Sequence, residues 1–289
     1  MKYLKIQRQT PAMKAFIVVF LVFFAVCAFL HVLPLLWAIS NSLKTGMEYF
    51  DDNMSLPKTW QFVNYLRVFT EFEIRGFDYF NMLFNSLWML VVSVVANVFS
   101  SAILAYPIAR YRFPGKEFLY SVVIFANVIP IIGSGAASFK MIDALGMVNN
   151  PATIWLSWAG GFDFAFIIFY GNFKGISMTY SEAAKIDGAS DFRVFTQIIL
   201  PQAFPCITAI AIQQSFGVWN NYSRSMIYLR DYPNLAYGLY LFNTEANYIE
   251  DSKPIYFAAA IISAIPVIVL YSCSQKLILT NVTAGGLKG

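Results

Sequence analysis

Charged residues are scarce in this sequence. Only 12% of its 289 residues are Asp, Glu, Lys or Arg, whereas a soluble domain carries about 25%. Hydrophobic residues make up 58% of the chain, and the mean hydropathy is +0.58. The composition therefore predicts a membrane protein. A formal net charge of only +4, scattered along the chain, argues against nucleic acid as a partner.

Cysteine, histidine and nucleotide-binding motifs are also rare or missing. The three cysteines lie in apolar stretches without metal-ligand spacing, and we interpret them as small apolar residues. The single histidine, His31, lacks the partners of a proton relay, which predicts a packed side chain with one hydrogen bond. No Gly-x-x-x-x-Gly-Lys-[Ser/Thr] loop and no catalytic constellation occur. We therefore expect a non-catalytic chain that holds no metal or cofactor of its own.

What the sequence does contain is long apolar stretches, since a membrane span needs about 20 such residues. They predict an all-α membrane protein with six transmembrane helices at about residues 15–40, 83–109, 118–138, 152–173, 203–228 and 255–278. The first stretch is too long for a signal peptide. We therefore expect an N-terminal segment at residues 1–14, a transmembrane domain at 15–278 and a tail at 279–289.

The distribution of Lys and Arg predicts the orientation of these helices. Twelve of the twenty basic residues lie in the two ends and in the second-to-third and fourth-to-fifth connections. By the positive-inside rule this side is cytoplasmic, with both termini inside. The opposite connections, residues 41–82 and 229–254, are polar and rich in aromatic residues. They could receive an external partner, or their aromatic residues could simply mark the membrane interface.

The cytoplasmic connection at residues 174–202, called the 174–202 segment below, predicts two short helices. Thr179 and Glu182 fit a capping box for the first helix, and Gly188 is placed to end it. Ser190 is placed to cap the second helix, and Pro201 to end it. The apolar residues of the second helix recur at helical spacing: Phe192, Phe195, Ile198 and Ile199. A capped, amphipathic helix pair is typical of a docking element.

Several polar residues lie inside the predicted spans. A carboxylate at the depth of Asp163 indicates function unless it reaches interfacial water, and both interpretations stay open. Amides next to aromatic side chains suit a sugar ligand, although they also serve as hydrogen bonds between helices. On this basis the candidate pathway residues are Asp163, Gln214, Trp219, Asn220 and Asn221, with Asn85, Ser86 and Asn127 as weaker candidates.

The 174–202 segment carries a family likeness. Glu182-Ala183-Ala184, followed by Gly188 and by Ile198-x-Leu200-Pro201, resembles the signature cytoplasmic loop of ABC-importer permeases. The version here resembles the binding-protein-dependent sugar permeases of the maltose and oligosaccharide class. The likeness covers roughly residues 85–289, and the tail is similar to that of the shorter, second permease subunit. The sequence departs from the pattern at Ser177, where the family commonly has Pro, and across Gly160–Phe169.

The resemblance implies a type I ABC-importer permease fold in a bacterial-type plasma membrane. It implies a second homologous permease, two ATPase subunits that bind ATP and magnesium, and an extracellular solute-binding protein that delivers an oligosaccharide. By the same resemblance, the residues that contact the ATPase are Glu182, Ala183, Ala184, Asp187, Gly188, Leu200 and Pro201. The tail residues Thr283, Gly285, Gly286 and Lys288 would also contact it.

Three other functions stay open. The same architecture could import a glycerophosphate or a polyol, although the six spans carry no deep Lys or Arg; Arg224 lies near an outer end. An ion-coupled secondary transporter is disfavoured because the spans lack a chain of ionisable residues. A membrane enzyme or assembly factor is disfavoured because no catalytic constellation occurs.

Overall fold

The computed structural model describes residues 11–129, 133–246 and 251–286, except the side chains of Ala12 and of residues 276–286. Among the described residues the regular secondary structure is helical, apart from one isolated β-bridge between Ile74 and Phe77. It divides into two compact units. Unit 1 comprises Met1–Phe72 and Glu245–Ile262, and unit 2 comprises Glu73–Thr244 and Ser263–Gly289.

Unit 1 consists of α1 (Pro11–Ser42), α2 (Gly46–Asp51), α3 (Asn64–Glu71) and the first turns of α15 (Ser252–Gly286). Most apolar side chains of α1 are exposed, as expected of a helix that contacts lipid. His31 forms one hydrogen bond, to the Cys27 carbonyl at 2.6 Å, but it is exposed, so the predicted packing of His31 is wrong.

The first long connection of unit 1 is folded. The buried Asn64 amide donates to the carbonyls of Ser42 and Lys44 at 2.9 and 2.8 Å. Arg67 forms ion pairs with Glu71 at 2.8 Å and with Asp251 at 2.7 Å. These bonds join residues that precede α2 to α3, and α3 to the start of α15.

Unit 2 contains the remaining helices, and α4 runs through it. These helices are α4 (Tyr79–Arg110), α5 (Lys116–Val128), α6 (Gly135–Ala144), α7 (Pro151–Ile154), α8 (Phe164–Gly175), α9 (Met178–Ile186), α10 (Asp191–Val194), α11 (Leu200–Gln202), α12 (Phe204–Trp219), α13 (Tyr222–Tyr228) and α14 (Leu235–Glu245). A 3₁₀ turn follows α7 at Trp155–Trp158, and a π turn precedes α11 at Phe195–Ile199.

The core of unit 2 lies where α4 packs against α8 and α12. Small residues of α4, Ala102 and Ala105, belong to one buried cluster with the rings of Phe166, Phe169 and Phe173 on α8. Small side chains allow the helix backbones to approach closely, which is how helices associate in membranes.

Three of the six predicted spans form single long helices. Long apolar helices occupy Met13–Ser42, Tyr79–Arg110 and Ser252–Gln275. A fourth candidate span is a helix pair, Asp191–Gln202 with Phe204–Trp219, bent by 71°. The six-span count and the cytoplasmic location of both termini stay predictions. The predicted tail at 279–289 continues α15 as far as Gly286, and Lys288 lies outside the described residues.

The other three predicted spans are wrong as continuous helices. The stretch 118–138 leaves the helix after Val128, and Gly133 has a φ of +87° before α6 begins. The stretch 152–173 is interrupted before Asp163, which caps α8. The stretch 203–228 ends its first helix at Trp219, and Asn221 then caps α13. Hydropathy does not register these breaks, because glycine and capping side chains interrupt a helix without lowering its mean apolarity much.

Candidate functional site

The first of the two short helices in the 174–202 segment is α9, which follows the end of α8. Ser177 caps this helix, since its hydroxyl oxygen accepts a hydrogen bond from the Thr179 amide at 3.3 Å. The predicted capping box of Thr179 and Glu182 is therefore wrong, because Thr179 already lies inside the helix. Ser177 is also the position at which the resemblance led us to expect a proline. A hydroxyl side chain there satisfies an amide that the start of the helix leaves free.

The end of α9 follows the prediction. Gly188 has a φ of +83°, a conformation that side chains with a Cβ rarely adopt. The Ala189 amide donates back to the Ala184 carbonyl at 2.9 Å, as in a Schellman-type cap. The Ser190 hydroxyl accepts from the Arg193 amide at 3.3 Å and caps α10 as predicted.

The second helix of the segment ends one residue later than predicted. It passes from α10 through the π turn at Phe195–Ile199 into α11, which contains Pro201 and ends at Gln202. In the π turn the Leu200 amide donates to the Phe195 carbonyl. A wider turn accommodates a proline, which has no amide to donate.

The segment has one buried face and one exposed face. Phe195 and Ile199 are buried as their spacing predicts, and Ala184 packs in the same cluster. Phe192 is 76% exposed, so its predicted place on the buried face is wrong. The exposed face combines apolar residues with charged residues of both signs: Tyr180, Glu182, Ala183, Lys185, Ile186, Asp187, Gly188, Phe192 and Arg193. Of the predicted contact residues, Pro201 is also exposed and Leu200 is half-buried.

Arg110, at the end of α4, holds α9 in place. Its guanidinium donates to the carbonyls of Phe173, Ile176 and Ser177 and, at 2.8 Å, to the Ser181 hydroxyl. Only 8% of Arg110 is exposed. One buried side chain thus joins α4, the end of α8 and the first turns of α9. The sequence showed Arg110 only as one of the basic residues of the second-to-third connection, because its partners are 63 to 71 residues away.

An ion pair crosses the turn between α9 and α10. Lys185 lies 2.7 Å from Asp191 and over the ring of Tyr111. The hydrogen bond with Asp191 raises the pKa of Lys185. The pKa of Asp191 is lowered by hydrogen bonds from Lys185 and then Tyr111. Both side chains of the ion pair are exposed, so solvent screens the pair.

Two of the predicted pathway residues meet in a polar network inside unit 2. Asp163 accepts from the Asn97 amide at 2.8 Å, the Ser101 hydroxyl at 3.0 Å and the Phe166 amide at 3.1 Å. Gln214 donates to the other side of Asn97 at 3.1 Å. The network joins α4, α8 and α12. A Cβ at Gly160 would overlap Asn97 and Ser101, so glycine allows the close approach.

The other three pathway candidates lie apart from this network. The buried Trp219 indole donates to the Ser263 carbonyl at 3.1 Å. Asn220 is exposed and donates to a carbonyl of its own helix, and Asn221 caps α13. Of the weaker candidates, the Asn85 amide donates to the Pro233 carbonyl, the Ser86 hydroxyl accepts from the Leu235 amide, and the Asn127 amide donates to the Phe162 carbonyl.

The chain shares its fold with a chain of a solved transporter. The chain superposes with a TM-score of 0.79 on a chain of a bacterial ABC transporter that imports the acidic polysaccharide alginate, at 23% identity, over 92% of this chain and 98% of the other. The sequence profile of the family described as binding-protein-dependent transport system inner membrane component matches residues 97–283. The chain belongs to this family, and it is a multi-pass protein of the inner membrane.

Curated relatives match over most of their length. The diacetylchitobiose uptake system permease protein NgcG of Streptomyces coelicolor is 30% identical over 257 residues, which cover 88% of this chain and 83% of the relative. The arabinooligosaccharides transport system permease protein AraQ of Halalkalibacterium halodurans is 29% identical over 271 residues, covering 92% and 94%. The resemblance seen in the sequence is thereby confirmed.

Proposed function

We propose that this chain is one permease subunit of an ATP-driven importer of oligosaccharides. It pairs with a second homologous permease, two ATPase subunits carry ATP and magnesium, and an extracellular solute-binding protein delivers the sugar. The membrane domain spans residues 15–278 in six crossings with both termini in the cytoplasm. The names of two relatives, an uptake permease for diacetylchitobiose and a transport permease for arabinooligosaccharides, support the cargo class.

The observation that carries the proposal is the construction of the 174–202 segment. Its inner face is fixed by the Arg110 hydrogen bonds and the aromatic core, and its outer face exposes Glu182, Ala183, Asp187 and Gly188. A rigid projection with an exposed apolar and charged face can transmit motion, because it moves together with the helices behind it. This segment seats in a cleft of the ATPase, and ATP binding there moves α4 and α8 through it.

The other assigned contacts have distinct roles in this proposal. Ala184, Leu200 and Pro201 set the shape of the segment, and the tail residues Thr283, Gly285, Gly286 and Lys288 also contact the ATPase. Asp163 and Gln214 border the sugar pathway as members of the network between helices, and Trp219, Asn220 and Asn221 lie at its other end. Alternating access follows because sugar-loaded binding protein and ATP each favour one state of the subunit pair.

Gly188→Val tests the coupling role. Valine at a φ of +83° is strained, so the end of α9 changes shape while the apolar spans are untouched. In proteoliposomes containing the whole transporter, we expect ATP-driven uptake to fall about tenfold or more, at normal membrane insertion. The matched control is Gly146→Val, at a φ of +66° in a turn outside the segment. Normal uptake by Gly188→Val, or an equal loss in Gly146→Val, would remove the coupling assignment.

A further inference from the structure

A cavity of about 430 Å³ lies between α6, the 3₁₀ turn after α7 and α13. Its polar lining comprises Ser138, Ser157, Asn221, Ser223, Arg224 and Tyr228. Ligand sites for small molecules have volumes of about 300–1,000 Å³ and a few convergent polar groups. The cavity lies far from the 174–202 segment, since Ser93 beside it and Arg110 are separated by about 25 Å along α4.

Arg224 is held firmly at the wall of this cavity. Its guanidinium donates to the Ser93 hydroxyl at 2.6 Å and lies over the ring of Trp158, with 5.2 Å to the centroid. Trp158 is itself buried and packs on Trp88. The planar guanidinium is thus fixed on one face and at one nitrogen.

The rest of the guanidinium is unsatisfied within the part of the chain that the structure describes. There Arg224 forms no ion pair, and its guanidinium has no hydrogen bond besides that to Ser93. The remaining nitrogens are not sealed in the packing, so a ligand in the cavity can reach them. A partly buried cation without a counter-charge is unfavourable unless an anion joins it.

From this geometry we infer that the cavity binds a sugar unit that carries an anionic group, a carboxylate or a phosphate, with its charge on Arg224. The inference rests on the proposed function and specifies its cargo. Two guanidinium N–H groups can bind two oxygens of one carboxylate or phosphate, the Tyr228 ring borders the cavity, and the serine hydroxyls can bond to sugar hydroxyls. Ser138 and Ser223 have no side-chain hydrogen bond among the described residues.

Equilibrium dialysis of the assembled transporter tests this without ATP or binding protein. The complex is placed in phosphatidylcholine nanodiscs and incubated with radiolabelled trigalacturonate, trehalose 6-phosphate or neutral galactotriose. We expect at least one anionic sugar to bind about tenfold or more tightly than galactotriose. Arg224→Gln should abolish this difference, and Arg224→Lys should retain only part of it, because lysine has no planar fork. Arg230→Gln, at an exposed arginine of the same region, should leave the difference unchanged.

The outcomes separate this inference from the proposed function. Equal dissociation constants for all three sugars in the unaltered complex, or a difference that survives Arg224→Gln, would overturn it. It would also be overturned if anionic lipid in the nanodisc abolished the preference, since a headgroup would then occupy the cavity. If ATP-driven uptake with the binding protein fails for every saccharide, the proposed function fails, whatever the dialysis shows.

Discussion

Two arginines of unit 2 illustrate the difference between a structural and a ligand-binding cation. Arg110 is buried and donates to four oxygens of its own chain, three carbonyls and one hydroxyl. Arg224 is partly buried and donates to one hydroxyl, while its plane rests on an indole. Arg110 is the last residue of α4, and Arg224 contacts α4 near its middle at Ser93. Both side chains bond to residues that are distant in sequence.

The number of N–H donors that are already hydrogen-bonded within the chain therefore distinguishes a structural arginine from a ligand-binding one better than burial alone. Arg110 has used most of its hydrogen-bonding capacity within the chain, so its removal should damage the fold locally. Arg224 keeps donors that face a cavity, so its removal should alter binding while the helices stay in place. Substitutions that remove these donors test this distinction.

Arg110→Gln should have the largest effect. It leaves carbonyls of Phe173, Ile176 and Ser177 without a donor, and each buried unsatisfied group costs about 1–3 kcal/mol. We expect α9 to lose protection in hydrogen exchange of the whole complex and coupled uptake to fall about tenfold or more.

The matched control for Arg110 is Arg112→Gln, because Arg112 is an exposed arginine two residues further along. Its exchange pattern and uptake should resemble those of the unaltered protein. The distinction between the two arginines would be wrong if Arg110→Gln left α9 protected from hydrogen exchange. It would also be wrong if Arg224→Gln increased the exchange of helices as much as Arg110→Gln does.

Sequence patterns predicted what depends on neighbours along the chain. Uninterrupted apolar runs gave the long helices α1, α4 and α15, and the left-handed Gly188 and the Ser190 cap follow from local chemistry. The first cap of the segment was misassigned because Ser177 and Thr179 both carry hydroxyls, and Glu182 stands three residues after the wrong one.

Bonds between distant residues left no local pattern. The hydroxyl partner of Arg110 is 71 residues away, and that of Arg224 is 131 residues away. The sequence placed Arg224 only near the end of a span, and the cavity beside it arises where breaks in three predicted spans bring short helices together. Those breaks come from glycine and capping residues, which hydropathy does not weigh.

Asp163→Asn should have an intermediate effect. It tests the polar network of Asp163, Asn97 and Gln214, which we propose borders the sugar pathway. The new amide would point N–H groups toward donors of Asn97 or Ser101, which costs about 1–3 kcal/mol. We expect thermal unfolding of the solubilised complex at a lower temperature and a raised KM for sugar uptake, because the network borders the proposed pathway. Asp143→Asn, at an exposed position on α6, is the control. An unchanged KM at lowered thermal stability would leave Asp163 as a structural member of the network and remove it from the pathway.

The ion pair of Lys185 and Asp191 should have the smallest effect, although it lies within the 174–202 segment. Solvent screens an exposed pair, so its contribution to stability is small, and a double-mutant cycle of Lys185→Gln and Asp191→Asn on unfolding should return a coupling close to zero. Because the pKa of Asp191 is lowered, its contribution to stability is present at a pH above the ordinary pKa of an aspartate and is lost as the pH falls into the acid range. Because the pKa of Lys185 is raised, its contribution is present at a pH below the ordinary pKa of a lysine and is lost in strong alkali. The coupling is therefore fully present at neutral pH. A coupling as large as the effect of Arg110→Gln would mean that the pair, as well as Arg110, fixes the turn after α9.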